Sequence, residues 1–151
     1  MAAASCASAE TMARATEAPD LFYPALNRMA LELVAERDNS SWKGFDPHAT
    51  AAARRSLLDK SQQDPDFWCY AGLVEIDVLE AVAARQLATQ VGGLLTRYAE
   101  LHGRVSSVLT WGSVADNAAL VLLPYLGSAK AAEKAAAQLL LDALNAYAKA
   151  D

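Results

Sequence analysis

The amino-acid sequence predicts an all-α protein of about six to seven antiparallel helices, arranged as a helical repeat or as a bundle. Three observations predict it. Apolar residues recur three and four positions apart through most of the 151 residues. Prolines and glycines are read as standing between these stretches rather than inside them, and as punctuating them. No segment alternates apolar and polar side chains with the period of two that a half-buried strand needs, so no sheet is expected.

The elements follow in order. Residues 1–20 form an Ala-rich stretch read as an N-terminal helix that stops before Pro19, and residues 21–151 form one helical domain. A helix from about Leu21 to Arg37 tolerates Pro24 in its first turn and buries Leu26, Met29, Ala30, Leu33 and Val34. Asp38 to Asp46 is a loop. Asp46-Pro47 reads as an N-cap followed by proline at the first helical position, opening a helix to about Gln63. Asp64-Pro65 starts the next helix in the same way, and that helix continues through Arg85. Another covers about Gln86 to His102, either continuous with its predecessor or broken at Gly92-Gly93, with Gly103 as its C-cap. The next runs from about Ser106 to Leu123. Ser113 and Asp116 have capping-box spacing, which would move its start to Ser113. The last, from about Ser128 to Lys149, carries a stripe of Ala132, Ala136, Leu139, Leu140, Ala143, Leu144 and Tyr147. Short connections predict that successive helices pack side by side.

Composition excludes several function classes. Hydrophobic residues make up 54% and charged residues 21%, the balance of a folded chain. The net charge is −5, and Arg54-Arg55 is the one adjacent basic pair, so no counterion-displacing stripe exists for nucleic acid or an anionic membrane. The longest apolar run, Ala118 to Leu123, falls far short of the ~20 residues of a membrane span. Met1 to Cys6 lacks the basic start and apolar run of a secretory signal. Cys6 and Cys69 read as reduced thiols of a cytoplasmic protein.

Asp64-Pro-Asp-Phe-Trp-Cys-Tyr-Ala-Gly72 resembles the start of a tetratricopeptide repeat, with Trp68, Ala71 and Gly72 at the family's spacing. The resemblance places the family's second-helix alanine on Ala84. It departs from the pattern at Glu75 and Ala88, where aromatics are expected, and at Thr96, where a proline is expected. More widely, Tyr23 to Arg28, Trp42 to Pro47, Asp64 to Trp68, Leu101 to Ser106 and Trp111 to Asn117 resemble bacterial tetratricopeptide-containing relatives of the TRAF-binding domain of stress-kinase regulators. That resemblance implies a scaffold that holds partners and brings no catalytic residues or cofactor. Stacked repeats usually need three or more units. One degenerate match therefore implies a longer protein or self-association.

Residues that could carry chemistry are few. His48 and His102 have no partner at metal-ligand spacing. His102 shares a stripe with Leu95, Tyr98 and Val105, where a bond to a backbone carbonyl is expected and a place in a groove is the alternative. Asp64, Asp66, Asp77 and Glu80 read as solvated or ion-paired acids. Glu75 falls among Trp68, Ala71, Gly72, Leu79 and Val82 on an apolar face. It needs an arginine such as Arg54, Arg55 or Arg104, or else it faces a groove. Trp42 and Phe45 in the long loop pack back onto the domain or touch a partner. No nucleophile elbow, phosphate loop or dinucleotide fingerprint is present. The expected function is non-enzymatic protein–protein interaction, with Glu75, His102, Tyr98 and Trp42 as contacts. The alternative is a bundle that holds an apolar small molecule in a cavity.

Overall fold

The computed structural model describes residues 22–149. It is all-helical, with 82% of the described residues in helices and no strand among them. The expected helix over residues 1–20, and Cys6 within it, lie outside the described residues. Six helices follow one another: α1 (Phe22–Glu36), α2 (Pro47–Gln63), α3 (Phe67–Ala83), α4 (Leu87–Arg104), α5 (Val108–Ser128) and α6 (Ala131–Tyr147). No helix of the described residues is long and apolar enough to cross a membrane.

Local chemistry explains most of the boundaries. Asp46 caps α2 by accepting the His48 N–H at 3.0 Å, with Pro47 in the first turn as expected. The next start differs from expectation. Asp64 is the C-cap of α2, and Asp66 caps α3 by accepting the Cys69 N–H at 2.9 Å while the buried Cys69 thiol reaches back to Asp66. α3 ends at Ala83 and does not extend through Arg85. Arg85 adopts a left-handed φ of 55°, and the N–H groups of Arg85 and Gln86 bond to the carbonyls of Val82 and Ala81, turning the chain back into α4.

Two stop expectations, at Gly103 and before Pro124, are overturned, whereas the helix starts expected near Gln86 and Ser106 are found. Gly92-Gly93 lies inside α4, and Gly103 lies one residue before its end, with Val105 as the C-cap. α5 begins after Ser107, which accepts the Thr110 N–H, and not at Ser113. It then runs through Pro124 to Ser128. A proline in a helix deprives the carbonyl four residues back of its donor. Here that residue is Leu120, whose side chain lies on the exposed face, where water can substitute.

The helices share one core. α1 packs on α2, α3 and α5, while α3 also touches α2, α4 and α5. This contact of α1 with α5 closes the arrangement around Met29, Leu57, Ile76, Leu79 and Leu122, all almost inaccessible to solvent. The expectation that successive helices pack side by side fails once. α4 and α5 are joined by three residues yet do not pack along each other, and α6 packs against both. An aromatic cluster fills the junction. Trp111 of α5 meets Phe67, Tyr98, His102 and Tyr147 edge to face at centroid distances of 5.0–6.1 Å. Its indole N–H donates to the Val105 carbonyl at 2.6 Å. α6 is rotated relative to its expected stripe. Leu140, Leu141, Leu144, Ala136 and Ala137 are buried, whereas Leu139 is 53% exposed.

Candidate functional site

An apolar hollow lies where α1, α3, α4 and α5 meet, with a volume of about 230 Å³. Its walls are aliphatic: Leu26 from α1, Val78 and Leu79 from α3, Val114 and Val121 from α5. Trp68 and Tyr98 add two aromatic faces. At the rim stand exposed polar side chains, Asn27 of α1 with Ser113 and Asn117 of α5. The hollow exists because small residues line α3 there. Ala71 and Gly72 are buried, and a Cβ on Gly72 would come within 2.6 Å of Leu57 Cδ2. Gly72 thus lets α3 approach α2 closely.

Glu75 enters this hollow from α3. Its apolar surroundings are as expected, but its expected arginine partner is not there. Arg54 binds Asp77 at 2.8 Å and Glu80 at 2.9 Å, on the far side of α3 from Glu75, and Arg97 of α4 closes on the other oxygen of Asp77. Two positions along a helix separate Glu75 from Asp77 by about 200°, so the arginines that serve one cannot serve the other. Arg55 and Arg104 are exposed. Among the described residues, no hydrogen bond or ion pair reaches the Glu75 carboxyl group. Burial without a partner raises its pKa to about 7, against an ordinary 4.5. Tyr98 also lines the hollow, and burial, followed by the charge of Glu75, pushes its phenol upward too.

Of the four expected contact residues, the structure brings Glu75 and Tyr98 together and leaves the other two elsewhere. His102 makes no bond to a backbone carbonyl. It stacks on Tyr147 at a centroid distance of 4.1 Å and an interplanar angle of 13°, within the aromatic junction. Trp42 is half-buried, packed edge to face on Phe45 against the core. It borders a second hollow of about 420 Å³, beside Arg37 and Arg85. The charges there are already engaged: Arg37 pairs with Asp38, and Arg85 sits over the Tyr125 ring and donates to the Arg37 carbonyl. Ala84, the alanine that the repeat pattern puts on a second helix, is the C-cap of α3. The second half of the motif therefore finds no place. Among the described residues, no group of three or more His, Cys, Asp and Glu side chains could hold a metal ion.

One buried acid escaped the sequence reading. Glu133 of α6 accepts the N–H groups of Leu87 and Ala88 at 2.8 and 2.7 Å and the Tyr125 hydroxyl at 2.7 Å. It caps α4, whose own N-cap residue Gln86 makes no side-chain bond. Burial alone would raise its carboxyl, but the bonds from Ala88, Tyr125 and Leu87 outweigh that and hold it below the ordinary value. Glu133 stands among Ala136, Ala137 and Leu140 on a buried face, the same signal that singled out Glu75. The two acids thus occupy opposite environments. One is saturated with donors, and the other has none among the described residues. No protein-family model matches the chain, and no curated protein and no solved structure matches it either.

Proposed function

We propose that the chain is a non-enzymatic helical interaction module, a cytoplasmic scaffold akin to the bacterial tetratricopeptide-containing proteins it resembles, and that it receives a protein segment in the hollow beside Glu75. The observation that carries this reading is an apolar, preformed hollow of about 230 Å³ with an amide-bearing rim. The size favours one large side chain over a whole cofactor, because small-molecule sites commonly run to about 300–1,000 Å³. Asn27 and Asn117 each offer a donor and an acceptor, the pair that a peptide backbone needs. Glu75 and Tyr98 are the titratable groups that line the hollow, and no nucleophile or base–orienter pair accompanies them.

A photo-crosslinking amino acid at Asn117, introduced in the native host, tests the reading. Expected is a protein adduct that is absent when the crosslinker replaces the exposed Gln138 of α6. The adduct should disappear when Ala118→Phe fills the hollow in a protein whose helical signal is intact. The alternative of an apolar small molecule rests on the same enclosed volume. It predicts a bound mass of a few hundred daltons in native mass spectrometry and no protein adduct.

A further inference from the structure

We infer that the hollow selects a lysine: the ammonium of a partner's lysine lies against Glu75 while its four-carbon stem runs along the aliphatic walls. The inference rests on the interaction reading above and names the chemistry of the residue received. Its first support is charge. A carboxyl group in an apolar hollow calls for a cation. Arg54 and Arg97, which reach α3 from α2 and α4, are committed to Asp77 and Glu80. The hollow is therefore complementary to a positive group supplied from outside, and the chain's net charge of −5 favours a basic partner's approach.

Shape separates lysine from arginine. A guanidinium is a planar fork that is satisfied by two parallel bonds and further acceptors in its plane. One carboxyl group among aliphatic side chains supplies the two bonds but not the rest. An ammonium is compact, and its stem is apolar along its whole length. Trp68 and Tyr98 offer aromatic faces, and a cation over such a face gains a further attraction. The rim amides Asn27 and Asn117 would then hold the peptide bonds flanking the lysine.

The proton balance follows. Binding needs ionised Glu75 and protonated lysine. The groups facing the hollow from α1 and α5 are Leu26, Asn27, Ser113 and Asn117 with aliphatic neighbours, none of which titrates. From α4 comes Tyr98, which stays neutral. Affinity for an ammonium should therefore rise with pH through about 7, set by Glu75, and level off until the amine itself deprotonates near pH 10.

The test is a titration followed by amide NMR shifts at Gly72, Glu75 and Asn117. Four probes are compared: n-hexylamine, 1-hexanol, a capped peptide Ala-Ala-Lys-Ala-Ala, and the same peptide with acetyl-lysine. Expected are saturable shifts with hexylamine and the lysine peptide, at least about tenfold tighter at pH 8 than at pH 5.5. Hexanol should bind without pH dependence, and acetyl-lysine should not compete. Glu75→Gln should bind hexanol as before and lose the amine preference. Equal, pH-independent binding of hexylamine and hexanol would overturn the inference and leave the interaction reading standing. Hexylamine binding without lysine-peptide binding would also overturn it, by pointing to a free amine. Absence of any probe shift, together with absence of the Asn117 adduct, would remove the interaction reading itself.

Discussion

Glu133 of α6 accepts the backbone N–H of Leu87 at 2.8 Å, a bond that spans 46 residues and finishes the first turn of α4. Helix starts leave N–H groups without partners, and a carboxylate there is favoured by both the bonds and the helix dipole. Leu87 is fully buried, so water cannot replace the bond. Glu133→Ala should lower stability by about 2–4 kcal/mol, because it removes charge-assisted bonds and strands a buried donor. Urea unfolding of the variant, with faster hydrogen exchange at Leu87 and Ala88, checks this. Since the Glu133 pKa is lowered by folding, its contribution is present above the ordinary 4.5 and is lost as pH falls through its folded value.

Glu75 has the opposite sign. Its folded pKa of about 7 exceeds the ordinary 4.5, so its contribution is complete below 4.5 and is lost as pH rises through 7. Without a ligand, the protein should lose roughly 1–3 kcal/mol between pH 4.5 and pH 7.5 from this group. Glu75→Gln should abolish that slope and be more stable than the parent at pH 8. A Gln variant less stable at pH 8 would mean that the carboxylate has a partner in solution. Together the two acids predict greatest stability near pH 4.5.

Gly72→Ala adds a methyl group 2.6 Å from Leu57 Cδ2, in a region where Leu57 is fully buried. Alanine would improve helix propensity by about 1 kcal/mol, but forcing α2 and α3 apart costs about 1–3 kcal/mol. The net change expected in thermal unfolding is a loss of up to about 2 kcal/mol. A gain in stability would mean that Leu57 moves aside freely.

The rotation of α6 gives a third contrast. Leu140→Ala and Leu144→Ala should each cost about 2–5 kcal/mol, whereas Leu139→Ala should stay within about 0.5 kcal/mol. Equal effects at Leu139 and Leu140 in chemical denaturation would show that a further surface covers Leu139.

Much of the fold was legible because helix period and proline placement are local signals. Asp46-Pro47 marked α2 within a residue, and spacing alone found Leu26, Met29, Ala30 and Leu33 of the α1 core, though Val34 is only half-buried and Ala25 was missed. What failed was decided by other parts of the fold. Pro124 lies inside α5, four residues after the exposed Leu120, which a local reading of proline as a stop does not foresee. α3 starts at Asp66 because that acid reaches the Cys69 N–H, while Asp64 closes α2. The site was half legible for the same reason. A wheel shows that Glu75 faces apolar neighbours, but no wheel shows that Asp77 takes its arginines, or that Glu133 faces a helix start 46 residues away.

The placing of α6 between α4 and α5 constrains the order in which the molecule can be assembled. During synthesis α4 and α5 leave the ribosome before α6, and they meet only where Trp111 touches Tyr98 and His102, a contact that Tyr147 of α6 completes by stacking on His102. Until residues beyond 130 emerge, the side of Trp111 that Tyr147 covers and the unfinished start of α4 both wait for a partner supplied by the nascent chain. A chain stalled at that point would present an aromatic surface to chaperones, and a slow codon run after α5 would lengthen the interval.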